Sequence, residues 1–368
     1  MGKIFLNDLH RQNSILEHLL SDAFLRVLNS GRYILGTEVS EFEKEFATFV
    51  GSKYCIGLSN GTDSLELALR SLGIGYKSKV AIVANAGSYS STAVYACGAI
   101  PQYIDVCNDK MTMDPKDLRM NINKETKAVI VTHLYGQMAN MPAILEITNK
   151  FEIPVIEDCA QAHGAELNKI KAGNWGKMGC FSFYPTKNLG ALGDAGCIVT
   201  NDFTIQEHLL KLRQYGWSKK YKSDIPCGRN SRLDELQAAF LRGKLPYLTE
   251  WNNRRKDIAN IYSQRLNKLN NKVICPTNFN QDNVFHLYVM RTNNRDDLAK
   301  YLISCGIIVD VHYPIPDHQQ TFHKNSFLEV ELPVTKKLCK EILSIPCYPE
   351  LSNDEINFIV SKIVDYFV

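Results

Sequence analysis

Lys187 closes the run Phe181-Ser-Phe-Tyr-Pro-Thr-Lys187, and a loop with glycines at 190, 193 and 196 follows it. A lysine taken at random is a solvated charge. One held between alternating aromatic residues and a tight glycine turn sits at a fixed place, and the glycines let backbone come close to a ligand. Desolvated by Phe181, Phe183 and Tyr184, its ammonium can lose a proton near neutral pH and become an amine nucleophile able to form a Schiff base.

Three further features give that amine a context. Asp158 ends the short apolar run Pro154-Val-Ile-Glu-Asp158 and stands three residues before Gln161. Alone it reads as a cap or a loop ion pair. Placed at a pyridine nitrogen, it would keep that nitrogen protonated and make the ring an electron sink. Ser59-Asn-Gly-Thr-Asp63 opens a helix. It is accounted for equally well as capping chemistry and as an anion site using helix-start amides and the dipole at Gly61 and Thr62, with Ser182 as a second hydroxyl donor. Tyr89 follows a strand and offers an aromatic face for a flat ring. Lysine, acid, phosphate cradle and aromatic plate are together what pyridoxal 5′-phosphate requires. No metal set, Ser/His/Asp arrangement, P-loop or dinucleotide GxGxxG motif stands out.

The elements that must position these groups alternate along the chain. Leu16, Leu19, Leu20 and Phe24, and then Phe42, Phe46 and Val50, recur at helical spacing. Tyr54–Leu58, Val80–Asn85, Ile100–Val106, Ala128–Thr132 and Pro154–Asp158 read as short buried strands, and helices are expected at Ser64–Leu72, Met141–Lys150 and Ile205–Tyr215. Such alternation predicts an α/β fold with a mostly parallel central sheet and helices on both faces. Tyr89, His133 and Asp158 fall just past strand ends, where such sheets bind ligands. Gly216–Arg232 is polar, basic and broken by glycine. Ser231-x-x-Asp234 reads as a capping box opening a helix at Leu233–Leu245. Residues 1–250 are expected to form the large domain. Residues 251–368 are expected to form a smaller α+β domain, with a helix at Arg254–Leu269, strands at Phe285–Arg291 and Ile307–His312, and a closing helix from Asp354.

Composition narrows the function classes. With 368 residues, 45% of them hydrophobic and 22% charged, the chain supports a sizeable core. A net charge of +3 calls for neither nucleic acid nor an anionic membrane. Eleven scattered cysteines without a CxxC pair argue for a reduced compartment. The opening residues lack the apolar core of a secretory leader, and no apolar run reaches membrane-spanning length. A cytoplasmic protein is expected.

Five stretches carry a resemblance: Ser59-Asn-Gly-Thr-Asp-Ser-Leu65, Ile156-Glu-Asp-Cys-Ala-Gln-Ala-His-Gly-Ala165, Phe181-Ser-Phe-Tyr-Pro-Thr-Lys187, Gly190-Ala-Leu-Gly-Asp-Ala-Gly196 and Gly228-Arg-Asn-Ser-Arg-Leu-Asp-Glu-Leu-Gln-Ala-Ala239. In these, and in their order over nearly the whole chain, the sequence resembles the DegT/DnrJ/EryC1/StrS nucleotide-sugar aminotransferases, which have the aspartate-aminotransferase (type I) fold. The resemblance implies that Lys187 carries the cofactor, Asp158 meets the pyridine nitrogen, Gln161 lies near the ring hydroxyl, and Gly61, Thr62 and Ser182 hold the phosphate. It also implies that Asn230 reaches the cofactor phosphate of a neighbouring subunit, which makes a homodimer with shared active sites. Relatives acting as dehydratases carry His at the lysine position, so Lys187 favours transamination, with L-glutamate as the expected donor.

The substrate rests on fewer residues. Asn85-Ala-Gly-Ser-Tyr89, Gln214-Tyr-Gly-Trp217 and Val309-Asp-Val-His-Tyr-Pro-Ile-Pro-Asp-His318 most resemble the branch acting on dTDP-linked 3-keto-6-deoxyhexoses, which makes 3-amino sugars for surface glycans or related products. His312, Tyr313 and His318, with Tyr184 beside the lysine, are the expected substrate contacts. Spacing alone would make the 312–318 segment a rigid turn with surface histidines. The alternatives are a 4-keto nucleotide sugar, or a regulatory relative that keeps the cofactor without turnover.

Overall fold

Alternate residues of each central strand enter opposite apolar clusters, and this dictates a sheet covered on both faces. Ala81, Val83, Val129 and Val131 join one cluster. Their neighbours Val80, Ile82, Ala128 and Ile130 join the other. Side chains alternate across a strand, so a strand apolar at every position must be buried twice. The structure, a computed structural model, describes residues 2–321 and 330–368.

Seven strands form the sheet: Tyr54–Leu58 (β1), Lys79–Val83 (β2), Ile100–Ile104 (β3), Thr126–Thr132 (β4), Val155–Asp158 (β5), Met178–Ser182 (β6) and Gly196–Thr200 (β7). Their order is β1-β7-β6-β5-β4-β2-β3. Contacts from β6 through β5, β4 and β2 to β3 are parallel, whereas β7 runs antiparallel to both β1 and β6. Helix Thr37–Val50 covers one face, with Phe46 edge-on to Phe181 and Phe183 at centroid distances of 5.0 and 5.1 Å. Helices Gly61–Ser71, Tyr89–Ala96 and Phe203–Leu212 fill the cluster on the other face.

A third cluster joins Ile258, Tyr262 and Leu266 of helix Leu248–Leu266 to the antiparallel pair Tyr288–Arg291 and Ile342–Ile345 and to Ile356, Ile359 and Ile363 of helix Asn353–Phe367. The mixed sheet and its helical cover agree with the expected α/β class. Two local expectations differ. Ile307–His312 forms only isolated bridges, Ile307 to Ile4 and Asp310 to Ser344, because its two ends pair with different partners. Ser231 makes no capping box. Its hydroxyl turns to that of Ser59 at 3.0 Å, and helix Glu235–Lys244 starts after Asp234 without a side-chain cap. A capping box does form at Ser352 and Glu355, opening the last helix. The glycine-broken 216–232 stretch contains the small hairpin Trp217–Lys219/Lys222–Ser223.

Candidate active site

The carboxyl ends of β1, β4, β5 and β6 converge on one cavity of about 410 Å³. Gly61, Thr62, Tyr89, Asp158, Gln161, Ser182, Tyr184 and Lys187 all line it, joined by Asn60, Thr132 and Asp194. Eight of the residues singled out from sequence therefore share one space, although they come from segments scattered between positions 61 and 187.

Lys187 is placed by a turn and an anchor. Its backbone N–H donates to the Tyr184 carbonyl at 2.8 Å. The next residue, Asn188, is buried, and its amide donates to Asn252 Oδ1 at 2.8 Å and to the Val284 carbonyl at 3.1 Å. Asn188 Oδ1 lies 3.1 Å from His286 Nδ1. The lysine is half-buried and lines the cavity. Burial lowers its ammonium pKa to about 8, and the nearby Asp158 carboxylate partly opposes that shift.

Asp158 is 6% exposed. Its Oδ1 accepts from the Ala160 N–H at 3.1 Å and its Oδ2 from Thr132 Oγ1 at 3.3 Å. Burial raises its pKa above the usual carboxylate value, while the Ala160 hydrogen bond and the Lys187 charge work the other way. Gln161 is fixed from both ends: its Oε1 accepts from the Tyr135 N–H at 2.6 Å, and its Nε2 donates to Tyr313 Oη at 3.4 Å.

At the head of helix Gly61–Ser71, Asn60 is the cap. Its Oδ1 accepts from the Asp63 N–H at 2.8 Å and its carbonyl from the Ser64 N–H at 3.1 Å. The cap thus serves the second half of the first turn, and Gly61 and Thr62 face the cavity. Capping and anion binding are compatible here. A Cβ on Gly61 would lie 2.6 Å from Ser182 Cβ, so only glycine lets the helix head approach the end of β6. A cradle of helix-start amides beside a hydroxyl, an acid, an aromatic face and a half-buried amine fits pyridoxal phosphate.

Other expected contacts lie elsewhere. Asn230 is exposed on the 216–232 loop, bridged to Gln214, and lines no part of this cavity. His312 Nδ1 is 2.9 Å from Ser344 Oγ, and the His312 carbonyl accepts from the Tyr135 hydroxyl. His318 lies against the Tyr103 ring at 6.0 Å. Tyr313 reaches the edge of the site: its ring packs over Gly87 and meets the Tyr89 ring at 6.1 Å and 76°. His133 is committed to structure. Its Nδ1 accepts from the Ala139 N–H at 3.2 Å, so its Nε2 donates to Glu157 at 2.9 Å, and Glu157 also takes the N–H groups of Gly173, Trp175 and Gly176. Cys159 completes a triad of possible metal ligands there, but those hydrogen bonds already occupy the other two.

Sequence reasoning missed Thr132, Asn188 and Tyr135. Thr132 was accessible in principle, since parallel β4 and β5 set it directly beside Asp158. Tyr135 takes a left-handed backbone (φ 61°) that no residue pattern announces.

The DegT/DnrJ/EryC1/StrS aminotransferase family model matches residues 15–364. The dTDP-3-amino-3,6-dideoxy-alpha-D-galactopyranose transaminase of Aneurinibacillus thermoaerophilus is 41% identical over 98% of both chains. A protein of Geobacillus stearothermophilus named pleiotropic regulatory protein is 37% identical over 98% of this chain and 97% of its own. The crystal structure of S. venezuelae DesV, in complex with a ketimine intermediate, superimposes with a TM-score of 0.96 at 36% identity, covering 100% of this chain and 99% of the other. With that match and the lysine and acid in one cavity, the chain belongs to the DegT/DnrJ/EryC1/StrS aminotransferase family and is a pyridoxal-phosphate-dependent enzyme of the aspartate-aminotransferase fold.

Proposed function

We propose that this aminotransferase moves the amino group of L-glutamate to C3 of a dTDP-linked 3-keto-6-deoxyhexose. The observation that carries the reading is the placement of Lys187 and Asp158 in one cavity with the glycine-headed helix start. Support for carbon 3 comes from the relative in Aneurinibacillus thermoaerophilus, whose name specifies a 3-amino-3,6-dideoxy sugar.

When bound, pyridoxal phosphate supplies an aldehyde that takes up an amino group and a ring that draws off the electrons of an adjacent C–H bond. The chain's residues do the rest. Lys187 would hold the cofactor through its aldehyde carbon and would move the proton at C3 of the sugar. A lysine with a pKa of about 8 suits a base working near neutral pH. Asp158 would keep a proton on the ring nitrogen. The amides of Gly61 and Thr62 and the Ser182 hydroxyl would bind the phosphate, Tyr89 would face the ring, and Gln161 would meet its hydroxyl. Tyr184 and Tyr313 meet the sugar, with His312 and His318 bracing the segment that carries Tyr313. Asn230 acts across a homodimer, completing the phosphate site of the partner subunit. Its exposure away from its own cavity supports that role.

Incubation with a panel of keto nucleotide sugars plus glutamate, read as amine product by mass, tests the reading. Amination of the dTDP-3-keto sugar is the expected result. Amination of a dTDP-4-keto sugar with no reaction of the 3-keto isomer would overturn the substrate, and absence of turnover on every pair would favour the regulatory alternative.

A further inference from the structure

The segment His312–His318 is held at its far end by a buried carboxylate. Asp317 has no exposed surface. Its Oδ1 accepts from the Ser88 N–H at 2.9 Å, its Oδ2 from Ser91 Oγ at 2.6 Å, and its own N–H donates to the Ala84 carbonyl at 2.7 Å. Ser88 is the N-cap residue of helix Tyr89–Ala96, and its own side chain makes no capping bond. Asp317 therefore caps that helix from a segment 229 residues away in sequence, where the helix dipole favours an anion.

The arrangement carries a cost. The titratable groups facing Asp317 are the phenols of Tyr95 and Tyr103 and the Cys339 thiol, all pushed up by burial and so uncharged at neutral pH. No cation faces the carboxylate among the described residues, and burial raises its pKa to about 6. A buried charge held by hydrogen bonds alone is expensive. What the carboxylate joins explains its position. Tyr89, a wall of the cavity, is the first residue of the capped helix and lies between Ser88 and Ser91. Tyr313, the facing aromatic, is four residues before Asp317. One side chain thus ties the segment that carries Tyr313 to the start of the helix that carries Tyr89.

We propose that Asp317 is a positioning residue that sets the Tyr89–Tyr313 pair and, on the aminotransferase reading given above, the fit of the sugar end of the substrate. Hydrogen exchange on Asp317→Ala should show faster exchange confined to residues 88–91 and 312–318. Its KM for the keto nucleotide sugar should rise about tenfold, the scale of one lost charge-assisted hydrogen bond, with kcat within about threefold of wild type. Asp317→Asn offers an acceptor to Ser88 and a donor to Ser91 and should stay near wild type. If Asp317→Ala does not fold, Ser91→Ala removes the Oδ2 contact together with the Ser91 hydroxyl's contact to Tyr103 Oη at 3.1 Å, and should show the same pattern, more weakly. Unchanged exchange in both segments, or faster exchange with unchanged KM, would overturn the proposal. A wild-type enzyme inactive on every keto sugar would overturn the functional reading instead, because the exchange arm needs no substrate.

Discussion

An amine with a pKa of about 8 is nucleophilic at neutral pH, and its environment makes it so. Loading of the cofactor-free protein should therefore depend on pH in a defined way. Below pH 8 the neutral fraction of Lys187 falls about tenfold per pH unit. The growth of visible absorbance after adding pyridoxal phosphate should slow accordingly and level off above about 8; a flat rate from pH 6 to 9 would contradict the burial argument. The linkage has a definite sign. The folded-state pKa is below the ordinary lysine value, so the unfolded chain binds more protons between them. Stability of the cofactor-free protein should gain from this group as pH rises from about 8 towards 10.5. Lys187→Ala should fold, since the anchoring bonds belong to Asn188 and the backbone, yet fail to acquire the visible band on loading. Turnover should drop about a thousandfold or more. Near-normal turnover would remove the lysine from the chemistry.

At the scale of elements, the glycine that heads a helix sets two effects against each other. By intrinsic propensity, Gly61→Ala would stabilise the helix by about 0.5–1 kcal/mol. The added methyl would instead lie 2.6 Å from Ser182 Cβ and 3.2 Å from Ser182 Cα, and backbone cannot swing aside. Overpacking of this kind costs about 1–3 kcal/mol, so the steric effect wins. Gly61→Ala should melt lower and bind cofactor more weakly. A higher melting temperature with unchanged affinity would show that the helix head is not a close-fitting cradle. This contact also marks what the sequence made legible. Lys187, Asp158 and the Gly61 turn were readable because each lies at the end of a strongly patterned element. The roles of Asn188 and Asp317 were not, since both depend on partners far along the chain, Asn252 and Val284 for one and Ser88 and Ser91 for the other. Ser231 misled for the same reason. Its local pattern is that of a cap, but its hydroxyl is taken by Ser59, 172 residues distant.

For the whole molecule, the exposed Asn230 gives a test of the proposed shared sites. Mixing Lys187→Ala and Asn230→Ala subunits should restore part of the activity that each lacks alone, because one site in a two-fold heterodimer is then intact. No recovery on mixing, or an active monomer in sedimentation, would put Asn230 back among surface residues. The sheet order has a consequence for how the chain is made. Strand β1 ends at Leu58 and pairs within the sheet only with β7, which starts at Gly196. As the protein emerges from the ribosome at about 5–20 residues per second, β1 waits on the order of ten seconds for its neighbour. The strand that leads into the glycine-headed helix is thus the last to be secured. Nascent chains arrested before residue 196 should leave Tyr54–Leu58 open to proteases, and those arrested beyond the release of Thr200 should protect it.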